Sequence, residues 1–214
     1  IKRIAEIDGL TVDVNAFEER MNQMKMSIRT DFNEETLSMF DDTLPATCND
    51  SKYDYSYDKN EQIYRTKPLE SKLLAIFDGQ TIVQSTADAS SPTVKLIFAE
   101  SPFYYESGGQ QSDEGFLTKN EVQFPIKSLK MQRNYVIHEI ERDTANPLMT
   151  GDKMSLHVND KTRTECIRNH TATHLLNAVV RNTINLPTYQ KSSAVTNSHL
   201  KIELAIMGPK INAK

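Results

Sequence analysis

No apolar run in the 214-residue chain approaches the roughly 20 residues that a bilayer-spanning helix needs, and its longest candidates, such as 73–77, have the length of strands. A helical membrane protein is thereby excluded. Cysteine is scarce. Cys48 and Cys166 are too few for a disulfide scaffold and suit a reducing, intracellular compartment, cytoplasm or mitochondrial matrix alike. The chain also lacks an initiating Met. It begins at Ile1 and ends at Lys214 soon after an apolar stretch over 202–207, so an excerpt of a longer polypeptide is expected. What remains is an ordinary soluble globular composition, 38% hydrophobic and 25% charged, long enough for one large domain or two small ones.

The net charge of −4 conceals an asymmetry. Residues 161–214 carry eight Lys or Arg against Glu165 and Glu203, a net of +6, which leaves −10 for the rest. A basic module joined to an acidic one fits a polyanionic partner held by the C-terminal part; a solvated basic surface fits equally well.

Periodicity divides the chain into three. Phe17, Met21, Met24 and Ile28 fall at steps of four, three and four behind Asp13, which predicts an amphipathic helix over 14–29 with Asp13 as N-cap. Residues 31–61 hold nine acidic side chains and the alternating Tyr53, Tyr55 and Tyr57, the pattern of an exposed connector that has room for one short strand. After Pro68 the period changes. Residues 73–77, 81–84, 93–99, 115–118, 122–126, 135–141 and 153–158 are short β-rich runs, with Asp78-Gly79 as a hairpin signal between the first two, and predict a small barrel or sandwich over 68–160. From Thr164 helical spacing returns until Pro187 ends it. The expected fold class is α+β, with an N-terminal helix and acidic connector over 1–67, a small antiparallel β-barrel over 68–160, and a histidine-bearing helix opening a further module over 161–214.

On that helix Arg168-Asn169-His170-Thr171-Ala172-Thr173-His174 puts two imidazoles four residues apart, about 6 Å along the axis and on one face. One metal ion can bridge them; a pair of surface histidines is the plain alternative. Cys166 extends the spacing, but it would lie about 12 Å from His174 along the axis, too far for one tetrahedral zinc, and a buried small hydrophobe is expected instead. Glu106-Ser107-Gly108-Gly109-Gln110 falls between strands, where paired glycines admit either close backbone approach to a ligand or a simple turn. Tyr189-Gln190-Lys191-Ser192-Ser193 follows Pro187 at the mouth of a strand. Gln190 with adjacent hydroxyls could position a water or read a small polar substrate, or serve as turn chemistry.

Together these segments resemble the alanyl-tRNA synthetase family, over the stretch leading from its aminoacylation half into its editing domain. Ser101-Pro102-Phe103-Tyr104-Tyr105-Glu106-Ser107-Gly108-Gly109-Gln110 is similar to that family's barrel motif and Arg168 to Leu176 (RNHTATHLL) to its zinc-helix motif, while Asp8-Gly9-Leu10-Thr11-Val12-Asp13 with Phe17-Glu18 is similar to the lead-in. Free-standing editing proteins of the superfamily share the barrel and zinc helix without that lead-in. The resemblance implies hydrolysis of serine or glycine wrongly attached to alanine tRNA, in a parent that charges this tRNA with alanine using ATP and Mg2+ bound upstream. It implies a Zn2+ ion with His170 and His174 as two of four ligands, the others being a Cys and a His in a later Cys-x-x-x-His segment. It associates Thr173 and Gln190 with the editing pocket, beside the Gly108-Gly109-Gln110 backbone. Arg163, Arg168, Arg181 and Lys191 are the expected tRNA phosphate contacts. Two departures stand out, Ser192 where the family has glycine and Leu200-Lys201-Ile202-Glu203 where it has an Arg-Phe-Asp-like run. They leave open an alternative, a degenerate editing domain that binds tRNA or is structural without hydrolysis.

Overall fold

A computed structural model describes residues 13–27, 43–184 and 186–207. The lead-in over 8–12, the acidic stretch 31–42 and the expected helix end at 28–29 lie outside the described residues. Two compact units are present, Ile1–Leu37 and Ser38–Lys214. In the first, α1 (Val14–Ser27) begins where expected. The Asp13 carboxylate accepts from the Ala16 N–H at 3.0 Å and its carbonyl accepts from the Phe17 N–H at 3.1 Å, so the residue caps the first turn.

The second unit is built on β1 (Tyr55–Asp58), β2 (Ile63–Thr66), β3 (Leu69–Phe77), β4 (Ile82–Val83), β5 (Thr93–Phe98), β6 (Gly115–Lys119), β7 (Val122–Gln132), β8 (Tyr135–Glu141), β9 (Lys153–Val158), α2 (Asp160–Ile184), β10 (Thr188–Val195) and β11 (Leu200–Ile206). Strands β3, β5, β8, β7, β6 and β9 pair in that order, all antiparallel, and β3 pairs again with β9, which closes a six-stranded barrel with β4 appended at β3.

Closure depends on the two longest strands. β3 pairs with β9 through 69–72 and with β5 through 73–77, changing partner at an irregularity between Leu73 and Ala75. β7 pairs with β6 through 122–125 and with β8 through 126–132, with its irregularity between Ile126 and Ser128. A bulge bends a strand and increases its twist, which lets one strand serve both sides of a closing sheet. Both strands exceed their expected lengths because the added halves, 69–72 (LESK) and 127–132 (KSLKMQ), are mostly polar and carry no apolar run that marks a strand. The inward side chains Leu73, Ile76, Val94, Leu96, Phe98 and Leu117 form a core with Phe103 and Leu148 from the connections.

The described part of the expected connector is stitched to the barrel. Thr47 donates to Asn134 O (2.9 Å) and Phe98 O (3.0 Å), Cys48 donates to Ala99 O (2.9 Å), and Asn49 Nδ2 donates to Ser101 O (2.7 Å) and Phe103 O (3.0 Å). The β1–β2 hairpin then docks on the start of α2, with the Tyr64 N–H donating to Thr164 Oγ1 (2.8 Å) and the Thr66 N–H to Asp160 Oδ1 (2.9 Å). Asn159 caps that helix by accepting from the Lys161 and Thr162 amides. Among the described residues no helix is long and apolar enough to cross a membrane.

One polar pair lies inside the barrel. His138 and Ser101 are fully buried, with His138 Nε2 2.9 Å from Ser101 Oγ and Nδ1 3.2 Å from Leu96 O. A carbonyl only accepts, so Nδ1 carries the proton and Nε2 accepts the Ser101 hydroxyl. Phe98 and Phe103 meet the ring edge-on, and burial pushes the imidazole down to about 4. Unfolded histidine takes its proton near 6.5 and folded His138 only near 4, so between these values the unfolded chain binds more protons. The contribution of His138 to stability is therefore complete above pH 6.5 and declines towards pH 4, by up to about 3 kcal/mol. Urea unfolding at pH 7 and pH 4.5 should show this loss, and His138→Gln, which can still accept from Ser101, should flatten it; identical pH dependence in both proteins would contradict the assignment.

Candidate functional site

The site grows from one face of α2. Residues Asn169, His170, Thr173, His174 and Asn177 recur at helical spacing and share that face. The rings of His170 and His174 stack with centroids 5.1 Å apart and planes 19° apart, one turn from each other. His170 Nδ1 lies 2.6 Å from Gln110 Oε1, so the helix pair and the double-glycine loop, far apart in sequence, meet directly. With the amide oxygen as acceptor, Nδ1 holds the ring proton and Nε2 keeps its lone pair. Partial burial, reinforced by the neighbouring His174, lowers the basicity of His170 and favours the neutral ring.

The loop is fixed by backbone geometry. Ser107 and Gln110 exchange both backbone hydrogen bonds (3.2 and 3.0 Å), and Gly108 and Gly109 between them have φ of +60° and +82°, as a tight turn with two left-handed residues requires. Gly109 has a second constraint, since a Cβ there would lie 2.4 Å from Ser193 O. The loop packs on β10, with the Val195 N–H donating to Gly109 O (2.7 Å) and the Gln111 N–H to Val195 O (2.9 Å). Close approach at Gly109 is thus towards the protein's own strand, while Gly108 has open space where a side chain would start.

The remaining expected residues are distributed around this centre. Thr173 is buried and its hydroxyl donates to Asn169 O at 2.8 Å, leaving it only acceptor capacity. Gln190 is exposed on β10, and its Oε1 accepts from Asn177 Nδ2 at 3.1 Å. Lys191 is the extra residue of a bulge between Gln190 and Ser192. The two positions at which the chain departs from the resembled family touch each other, the Ser192 hydroxyl donating to the Glu203 carboxylate at 2.9 Å while Lys201 pairs with the same carboxylate at 2.8 Å. Cys166 is buried as expected, and its surroundings, burial first and then Asp113 and Glu114, push its thiol up to about 11. His199 is tied to Thr196 and Ser198 in its own turn.

Among the described residues no group of three or more His, Cys, Asp or Glu side chains converges. His170 and His174 nevertheless fit part of a zinc donor set: two imidazoles on one face, the first neutral and oriented through its second nitrogen by Gln110, as metal-binding histidines commonly are.

Arg163, expected at a phosphate, is elsewhere. It is 3% exposed against an Asp113 that is 1% exposed, with Nε donating to both carboxylate oxygens (2.8 and 3.0 Å) and Nη2 also paired there. Its other donors reach Lys52 O (2.8 Å) and Pro102 O (2.9 Å), so the guanidinium is spent on the fold and unavailable to nucleic acid. Arg168 donates to Gln62 O, and Arg181 and Lys191 are exposed. Asn169, Asn177 and Asp113 were not singled out from sequence; the first two were detectable, since they extend the polar stripe of the two histidines.

Comparison with known proteins assigns the chain to the tRNA synthetases. Residues 1–162 match the family model "tRNA synthetases class II (A)", and the chain belongs to that family, within its alanyl branch. It is 29% identical over 240 residues to the mitochondrial alanine–tRNA ligase of Drosophila melanogaster, covering 98% of this chain and 24% of the relative. It is 32% identical over 210 residues to the alanine–tRNA ligase of Enterococcus faecalis (97% and 22%) and 30% identical over 222 residues to the cytoplasmic enzyme of Bombyx mori (96% and 22%). The chain thus spans under a quarter of these relatives. The family match ends before the two histidines, whereas the pairwise matches cover nearly the whole chain.

Removing one partner of a buried ion pair strands the other, at a cost of about 3–5 kcal/mol. Arg163→Met should lower stability by that order in urea unfolding. Arg163→Lys should fail to restore it, because a lysine cannot meet a carboxylate side-on and two carbonyls together. A change under about 1 kcal/mol would show that the pair is dispensable.

Proposed function

We propose that this region hydrolyses serine or glycine wrongly esterified to alanine tRNA, within a parent that attaches alanine to that tRNA using ATP and Mg2+ bound upstream. The contact from His170 Nδ1 to Gln110 Oε1 carries the reading, because it joins the two motifs that such a site needs. A pocket that accepts alanine discriminates weakly against glycine, one methyl smaller, or serine, one hydroxyl larger, so a second hydrolytic site is the physical remedy.

In this reading His170 and His174 hold zinc, which would supply Lewis-acid polarisation of the ester or of water. The chain's own residues do the rest. Gln110 fixes the His170 ring and its tautomer. The turn at Gly108-Gly109 offers backbone amides near the developing oxyanion. Thr173 Oγ1, already donating to Asn169, can only accept, which suits it to a substrate hydroxyl. Gln190, held by Asn177, presents its amide group towards the same substrate.

A second reading, a tRNA-binding domain without hydrolysis, draws on the departures at Ser192 and Glu203. Their mutual hydrogen bond is what a coupled structural exchange across β10 and β11 would produce, and it occupies side chains beside Gln190.

Deacylation of seryl alanine tRNA by the intact parent decides between them. His170→Ala should reduce the rate by at least about a hundredfold and lower zinc content together; unchanged rate and unchanged zinc would reject hydrolysis at this site. Arg168, Arg181 and Lys191 are proposed to meet tRNA phosphates. Replacing Arg181 or Lys191 by Ala should lower the salt slope of tRNA binding by about one each, and parallel slopes for all variants would eliminate these contacts.

A further inference from the structure

At the root of the loop that carries the glycine turn lies a cluster that the proposed hydrolysis does not use. Lys52 Nζ sits 5.1 Å from the ring centroids of both Tyr53 and Tyr105. Tyr105 stacks with Tyr104 at 6.2 Å and 17°, and the Tyr104 hydroxyl donates to Ser107 O at 3.2 Å. Tyr53 is 65% exposed, so its ring is not core packing. The backbone beneath is rigidly held: Arg163 grips the carbonyls of Lys52 and Pro102, and the Tyr104 N–H donates to the Asp113 carboxylate at 2.6 Å. Tyr104 and Gln110 stand at the two ends of one short loop whose far end reaches His170.

Tyr53 presents an exposed ring beside a cation, backed by the half-buried Tyr105, and an ordered aromatic ring with a neighbouring cation is the chemistry that single-stranded nucleic acid uses for base stacking. Asp50 and Asp54 flank Lys52 in sequence and make this segment poor for phosphates, which favours a base face as the ligand. We propose that Tyr53, with Lys52 and Tyr105, forms a shelf on which an unpaired base at the 3′ end of tRNA stacks, placing the ester across the glycine turn towards the histidines. The shelf rests on the reading of this site as one that receives a tRNA ester. Its determinant is the ring of Tyr53 rather than the hydroxyl, since every base presents a π face.

The test uses the full chain and two RNA hairpins, one with a single-stranded 3′ overhang and one blunt, with binding followed by fluorescence anisotropy at fixed salt. Tyr53→Ala should weaken the overhanging hairpin about tenfold and leave the blunt hairpin unchanged, while Tyr53→Phe keeps the wild-type preference. An unchanged ratio in Tyr53→Ala, an equal loss for both hairpins, or Tyr53→Phe behaving as Tyr53→Ala would each overturn the shelf. Deacylation measured in parallel on the intact parent separates the two ideas. Wild-type hydrolysis with no ring dependence rejects the shelf alone, whereas a ring-dependent overhang preference without any hydrolysis rejects the hydrolytic reading and retains the shelf.

Discussion

A guanidinium buried against a carboxylate organises this molecule. Arg163 and Asp113 are withdrawn from water at a desolvation cost that their mutual attraction offsets only because the remaining donors are also satisfied, by Lys52 O and Pro102 O. The same Asp113 accepts from the Tyr104 amide. One ion pair therefore ties the helix to the loop after β5 and to the segment before the β1–β2 hairpin. His170 follows Arg163 by seven residues, close to two turns, so the residue that roots the loop and the residue that meets its tip project from nearly the same side of the helix.

This arrangement explains how a short turn can be held in one geometry. Loops usually pay for order at the moment of binding, whereas here the stretch from Tyr104 to Gln110 is fixed at its root by Asp113, at its tip by two glycine conformations, and along its side by β10. Inside the barrel, Ser101 of the same motif is fastened to His138. The motif's residues thus divide between anchoring and presenting.

Much of the fold could be read before any coordinates. Strands dense in β-branched and aromatic residues, such as 93–98 and 135–141, announce themselves because most of their side chains are covered, and Asp13 and Asp78-Gly79 act through local backbone chemistry that needs no tertiary context. The polar extensions of β3 and β7 did not, since their pairing is dictated by barrel closure. The described part of the connector over 31–61 is mostly exposed and carries one short strand, Tyr55–Asp58, and only its anchoring escaped the sequence: Thr47 and Asn49 look like loop residues until the carbonyls of Phe98, Ser101 and Phe103 make them structural. Of the site, the two histidines and the glycine turn were legible as motifs, and their meeting through Gln110 was not. Arg163 was misread because a lone arginine in a basic segment carries no mark of the aspartate fifty residues earlier that buries it.

The unbroken helix between Arg163 and His170 makes phase a hereditary constraint. Each residue rotates the helix by about 100°, so a single insertion or deletion in that interval would swing the imidazoles away from Gln110 while leaving every residue type intact. Length changes can be absorbed at the exposed tip between β1 and β2. Descendants of this chain are therefore free to diverge in spelling along that interval, and barred from changing its count.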